Sequence, residues 1–162
     1  MVKEKIYQIL EGVPDPEIPV LSILDLGIVR GVEIDETLEQ ITISITPTYS
    51  GCPAMDVISF QIRADLAVEG FKNVLIKNVL KPAWTTDAMT ESGKQKLKAY
   101  GIAPPNARAR IEKMLFETPP PVHCPRCDAA DTKMLAEFGS TSCKALYQCN
   151  ECLEPFDYFK CL

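Results

Sequence analysis

One histidine, His123, stands in 162 residues, and that scarcity removes much chemistry at once. No histidine-containing metal motif exists away from His123, and a cysteine–histidine catalytic pair would need the segment around His123 to fold back across the rest of the chain. There is no Gly-rich phosphate loop. Positive charge is also short, with 17 Lys and Arg against 22 Asp and Glu and a net charge of −5. Residues 1–122 carry −3 and residues 123–162 carry −2. Neither part offers the positive field that a phosphate backbone demands, so nucleic acid is not an expected partner. No apolar run reaches membrane-spanning length, and Met1-Val2-Lys3-Glu4-Lys5 leads into no signal-type segment. No membrane role is expected, and the cytoplasm is the default location.

What the chain does have is cysteine, seven in all. An odd count with four residues in metal-like spacing indicates reduced thiols rather than a secreted disulfide framework. The four form two knuckles, Cys124-Pro125-Arg126-Cys127 and Cys149-Asn150-Glu151-Cys152. A C-x-x-C turn brings two thiolates within reach of one metal ion, and two such turns complete a tetrahedral shell. The last forty or so residues are too few to build a stable apolar core, so metal binding would supply their folding free energy. A closed structural zinc ribbon is the favoured reading. A redox C-x-x-C pair is its rival, disfavoured because neither motif sits in a thioredoxin-like strand-to-helix context. Four thiolates also suit a mononuclear iron, and the glycine that often follows the second Cys is replaced by Asp128 and Leu153. Cys143 and Cys161 are left over as alternate ligands.

Upstream, Glu117-Thr118-Pro119-Pro120-Pro121-Val122 reads as a stiff extended spacer. The expected organisation is a domain over 1–116, a Pro-rich linker over 117–123 and a four-cysteine ribbon over 124–162. Within the first domain, Val2, Ile6, Ile9 and Leu10 share one face of a short opening helix. Residues 28–34 and 40–46 are β-branched or alternating and flank a polar turn, which predicts a hairpin. Pro53 opens a helix to about Glu69 with Met55, Ile58, Ile62 and Leu66 on one face, ended by Gly70. Residues 74–80 supply a third strand, and 91–100 a polar helix closed by Gly101. The fold class is α+β: a small mixed sheet of about three strands packed with helices, plus a C-terminal zinc-ribbon domain.

Cys52 is the second candidate site. It lies in Ser50-Gly51-Cys52-Pro53 between a strand end and a helix start, where unpaired N–H groups and the helix dipole favour a thiolate. A small buried side chain is the bland alternative. A lone cysteine cannot close a cluster site; it would need a second protomer, a partner protein or an exogenous thiol. Asp15, Glu17 and Asp25 are read either as acid–base carboxylates or as turn and cap residues. Trp84 is read as a docking anchor or as core. His123 is a linker residue or a neighbour of the metal. No catalysis by this chain alone is expected, because no base is evident near Cys52.

The strings Asp15-Pro16-Glu17-Ile18-Pro19, Ile23-Leu24-Asp25-Leu26-Gly27-Ile28-Val29 and Thr46-Pro47-Thr48-Tyr49-Ser50-Gly51-Cys52-Pro53-Ala54-Met55 resemble the MIP18 family (domain of unknown function 59). That family includes iron–sulfur assembly factors with a reactive cysteine at the position matching Cys52. Lys81-Pro82-Ala83-Trp84-Thr85-Thr86-Asp87, Gly101-Ile102-Ala103-Pro104-Pro105 and the ribbon residues 138–147 and 154–160 extend the resemblance over essentially the whole chain. It is to the family of D subunits of the phenylacetyl-CoA epoxidase system. That resemblance implies an accessory component of a multicomponent di-iron monooxygenase in aerobic phenylacetate catabolism, assisting iron–sulfur or metal-centre maturation. It implies iron, an Fe–S unit or a partner thiol held transiently at Cys52, structural zinc in the ribbon, and the iron–sulfur flavin reductase or another epoxidase component as client. A homodimer is a further expectation. The alternative is a stoichiometric structural or electron-transfer subunit of the same complex.

Overall fold

The computed structural model describes residues 2–106 and 121–160. They divide into two compact units, Met1–Gly93 and Lys94–Leu162. Residues 117–120 of the Pro-rich spacer, and Cys161, lie outside the described residues.

In the first unit α1 (Val2–Glu11) buries Ile6 and Leu10. A hairpin follows, with β1 (Val29–Asp35) antiparallel to β2 (Gln40–Ile45), Val32 opposite Ile43 and Asp35 opposite Gln40. The β-branched run Ile41, Ile43 and Ile45 puts β2 in the centre of the sheet, where all three are buried. The crossover helix α2 (Ala54–Val68) then returns the chain to β3 (Val74–Asn78), parallel to β2, as a parallel pair requires. The sheet order is β1-β2-β3, the three strands expected. Met55, Ile58, Ile62 and Leu66 of α2 are all buried, as their spacing predicts.

The Asp25-Leu26-Gly27 stretch is the knot of this unit. Ser22 and Asp25 cap each other, the Ser22 N–H donating to Asp25 Oδ2 (3.1 Å) and the Asp25 N–H to Ser22 Oγ (3.0 Å). Thr90 Oγ1 donates to Asp25 Oδ1 at 3.1 Å and accepts the Gly93 N–H at 2.9 Å, which caps the first turn of α3 (Glu91–Tyr100). Trp84 is buried and its indole N–H donates to the Leu26 carbonyl at 2.8 Å. Gly27 has φ +66°, and a Cβ there would fall 1.9 Å from the Ala88 carbonyl oxygen; only glycine fits. Asp25 and Trp84 therefore act as structural residues here.

In the second unit β4 (Ile102–Ala103), β5 (Thr132–Ala136), β6 (Lys144–Cys149) and β7 (Pro155–Phe159) form a four-stranded sheet in the order β4-β7-β6-β5. β5, β6 and β7 form an antiparallel meander, and β4 joins β7 in parallel. The division between the units falls inside α3, so β4 packs with the ribbon although it precedes the prolines. The core around the knuckles is small: Ala103, Cys124, Cys149 and Phe156, with Val122, Ala129, Tyr147 and Tyr158 against it. Among the described residues no helix is long and apolar enough to cross a membrane.

Candidate metal centre and thiol site

Hairpin geometry assembles the metal centre. The first knuckle precedes β5; the second begins at Cys149, the last residue of β6, and turns into β7. Asn150 ties them together, its N–H donating to the Asp131 carbonyl (2.9 Å) and its side-chain amide to Asp131 Oδ1 (2.8 Å). Both knuckles place the residue after the second Cys in the left-handed region, Asp128 and Leu153 each at φ +63°. The missing glycines are thus replaced, not bypassed, and the two turns keep one shape. Cys124 accepts the Asp128 N–H on its carbonyl and donates its own N–H to Ala129, while the Cys149 N–H donates to Glu154.

The four sulfurs all lie within 4.8 Å of one another. Cys124 Sγ is 3.7 Å from Cys152 Sγ, and Cys127 Sγ is 3.5 Å from Cys149 Sγ. Metal–sulfur bonds of about 2.3 Å in a tetrahedron give sulfur–sulfur edges of about 3.8 Å, so the donor set fits one four-coordinate ion. None of the four is in a disulfide. The electrostatics agree. The Cys152 and Glu151 N–H groups, with Cys127 beside it, hold Cys149 down at about 7. Cys127 receives the Ala129 N–H, yet local desolvation at the sulfur and the three neighbouring thiols push it up to about 12. Thiols this close cannot all ionise unless a cation sits among them. Cys124 and Cys149 are buried in the ribbon core, whereas Cys127 and Cys152 are exposed, so two ligands would anchor an ion from within and two would close over it.

Cys143 lies outside this group. It is buried just before β6, its Sγ 3.1 Å from Thr141 Oγ1, and β6 carries the chain roughly 20 Å from there to Cys149. What sequence reasoning missed is the bracing of the first knuckle. Lys98 pairs with Asp128 at 2.8 Å, holding that carboxyl below the usual range. His123 Nδ1 lies 3.0 Å from the Asp128 carbonyl oxygen, making it a brace of the knuckle backbone. Nothing in the spacing of Lys98 or His123 announced either contact.

Cys52 belongs to the first unit, half-buried on the loop between β2 and α2. Gly51 at φ +80° turns the chain there, and the Cys52 N–H donates to the Tyr49 carbonyl at 3.3 Å. The Ala54 N–H and the Tyr49 hydroxyl both point at the sulfur, as a helix start predicts, but the thiol is nevertheless pushed up. Burial is the largest cause, and the carboxylates of Glu17 and Asp15 add to it. The expectation that the helix start favours a thiolate is corrected: desolvation, with a smaller contribution from the two acidic neighbours, outweighs the hydrogen bonds from Ala54 and Tyr49. Asp15 also holds its own turn, Oδ1 accepting the Glu17 N–H (2.9 Å) and the Ile18 N–H (2.7 Å). The sequence therefore brings Asp15, Glu17, Tyr49 and Cys52 to one place from loops more than thirty residues apart.

The comparisons with known proteins match this division. Residues 3–77 fit the family model described as iron-sulfur cluster assembly protein, and residues 109–160 fit the PaaD zinc beta ribbon domain. Together they define the class, an iron–sulfur-assembly-type α+β domain followed by a four-cysteine zinc ribbon. An Escherichia coli relative, named as the D subunit of a "Putative 1,2-phenylacetyl-CoA epoxidase", is 48% identical over 158 residues, 98% of this chain and 92% of that protein. The chain belongs to the family of these phenylacetyl-CoA epoxidase D subunits. An Fe-S protein maturation auxiliary factor of Porphyromonas gingivalis is 37% identical over 90 residues, 55% of this chain and 84% of its own. The crystal structure of a DUF59 domain from Bacillus anthracis superposes with TM-score 0.54 at 30% identity, covering 59% of this chain and 90% of that one.

Proposed function

We propose that this chain is an accessory maturation component of a phenylacetyl-CoA epoxidase system, in which Cys52 handles iron or an iron–sulfur unit for another component of the complex. The relatives support an accessory role in iron–sulfur assembly. The observation that carries the specific reading is the setting of Cys52: a half-buried thiol at a helix start, hydrogen-bonded by the Tyr49 side chain and the Ala54 N–H, with Glu17 and Asp15 near enough to act on it electrostatically. Kept neutral, the thiol is a poor nucleophile and resists adventitious oxidation and alkylation. The same carboxylates that suppress its ionisation attract a cation. When iron bonds the sulfur, the thiol proton leaves to solvent, and the negative charge that opposed the thiolate is neutralised. Such a site binds its cargo through one sulfur and releases it to a client that offers more.

The ribbon has a separate task. Cys124, Cys127, Cys149 and Cys152 would hold zinc, which completes the fold of the second unit and carries no electron. The iron–sulfur flavin reductase is the client this reading favours. The test is client loading in cells that lack this chain and are complemented with either wild type or Cys52→Ala. The reductase should contain several-fold less iron and sulfide with the variant, while the variant itself stays folded and zinc-loaded. Equal loading would remove the role of Cys52.

A further inference from the structure

The crossover helix α2 carries two apolar faces, and only one of them is used by the core. Opposite Ile58, Ile62 and Leu66 runs a second stripe, Val57, Phe60, Ala64, Ala67 and Val68. Val57 is 55% exposed, Phe60 71% and Val68 85%. A helix apolar on both sides is ordinarily covered on both. Along one flank of the stripe stand Asp56 and Arg63, both exposed, seven residues and about 10 Å apart. Neither side chain has an ion pair among the described residues.

We infer that this face is the contact surface for a second copy of the chain, packed antiparallel through a two-fold axis near Phe60. The charge pattern selects that occupant. A two-fold axis keeps the same flank of both helices together, and with its centre between residues 59 and 60 it sets Asp56 of each copy against Arg63 of the other. The same register brings the two Phe60 rings together at the axis and drops each Val57 between the copy's Phe60 and Ala64. One helix face buries less than the roughly 800 Å² per partner of a standard interface, so the dimer is a weak, reversible one. In this register the Cys52 residues lie about 22 Å apart along the helix axis. The dimer therefore makes no shared two-thiol site, and each Cys52 acts alone.

Sedimentation equilibrium of the full, zinc-loaded chain from about 10 µM to 1 mM tests this. Wild type should approach twice the protomer mass, and Phe60→Asp, an exposed change that leaves the core untouched, should remain a monomer with unaltered circular dichroism. Asp56→Arg and Arg63→Asp should each weaken the dimer roughly 3- to 10-fold, and the double variant D56R/R63D should recover to within about threefold of wild type. A monomer throughout the range, a dimer indifferent to Phe60→Asp, or charge swaps without recovery would overturn the proposal. So would a monomer in which Phe60→Asp abolishes binding to another component, since the face would then belong to that protein.

Discussion

The two units solve the same problem with different materials. The first has Ile6, Leu10, Ile23, Ile28, Ile43, Ile45, Ile58, Ile62 and Leu66 essentially without exposed surface, each contributing about 1.5–3 kcal/mol by leaving water. The ribbon's central cluster has four buried residues, and two of them are thiols. Where aliphatic side chains are plentiful, sheet and helices hold themselves. Where they are scarce, coordination must replace burial, because binding free energy is folding free energy. The cysteines follow the same division. Cys149 is drawn down to about 7 by backbone N–H groups, ready for a resident ion, while burial and carboxylates push Cys52 up. Under the proposed function, one would keep a metal and the other would meet one.

Chelation should break the comparison most sharply. A structural four-sulfur zinc is worth on the order of 10–16 kcal/mol at neutral pH. Its removal should abolish amide protection across residues 122–160 and leave residues 2–93 protected, as read by hydrogen exchange. Cys149→Ser should reproduce that loss and lower bound zinc to a small fraction. Cys143→Ser should keep one zinc per chain by metal analysis, because Cys143 packs against Thr141, away from the cluster. The converse break lies in the first unit. Ile62→Ala should cost about 2–5 kcal/mol through the cavity it leaves, measured by urea unfolding, with zinc content unchanged. Gly27→Ala should cost a similar amount, about 2–5 kcal/mol, because it combines left-handed strain with a clash against Ala88.

The smallest effect sharpens the contrast between the two kinds of thiol. Cys52 is raised above its ordinary value of 9.0, so its alkylation should be slow at pH 7 and climb about tenfold per pH unit until past pH 9. Glu17→Gln removes one of the charges that opposes the thiolate, lowering the thiol's pKa. Alkylation at pH 8 should then accelerate by a few-fold, since burial, the larger cause, remains. An unchanged rate would show that Glu17 does not act on the sulfur.

Much of this was legible in the chain itself. The period of Met55, Ile58, Ile62 and Leu66 gave the buried face of α2, and the alternating run 40–46 gave the central strand, because both patterns are local. The knuckles announced the ribbon for the same reason. What was not legible depends on groups distant in sequence. The helix start at Ala54 argued for a Cys52 thiolate, and only the fold shows the burial, reinforced by Glu17 and Asp15, that pushes the thiol up instead. Trp84 could be read either way until its bond to the Leu26 carbonyl placed it in the core. The membership of β4 in the ribbon sheet was equally hidden, since two residues, Ile102 and Ala103, make a strand only by pairing with Asp157 and Tyr158.

The most direct test of the central claim, that the chain keeps one metal and passes another, is metal and acid-labile sulfide analysis of anaerobically prepared wild type and Cys52→Ala. One zinc per chain in both, with iron and sulfide in the wild type alone, is the predicted result. Zinc in both with no iron or sulfide in either, or the same iron and sulfide in both, would contradict it.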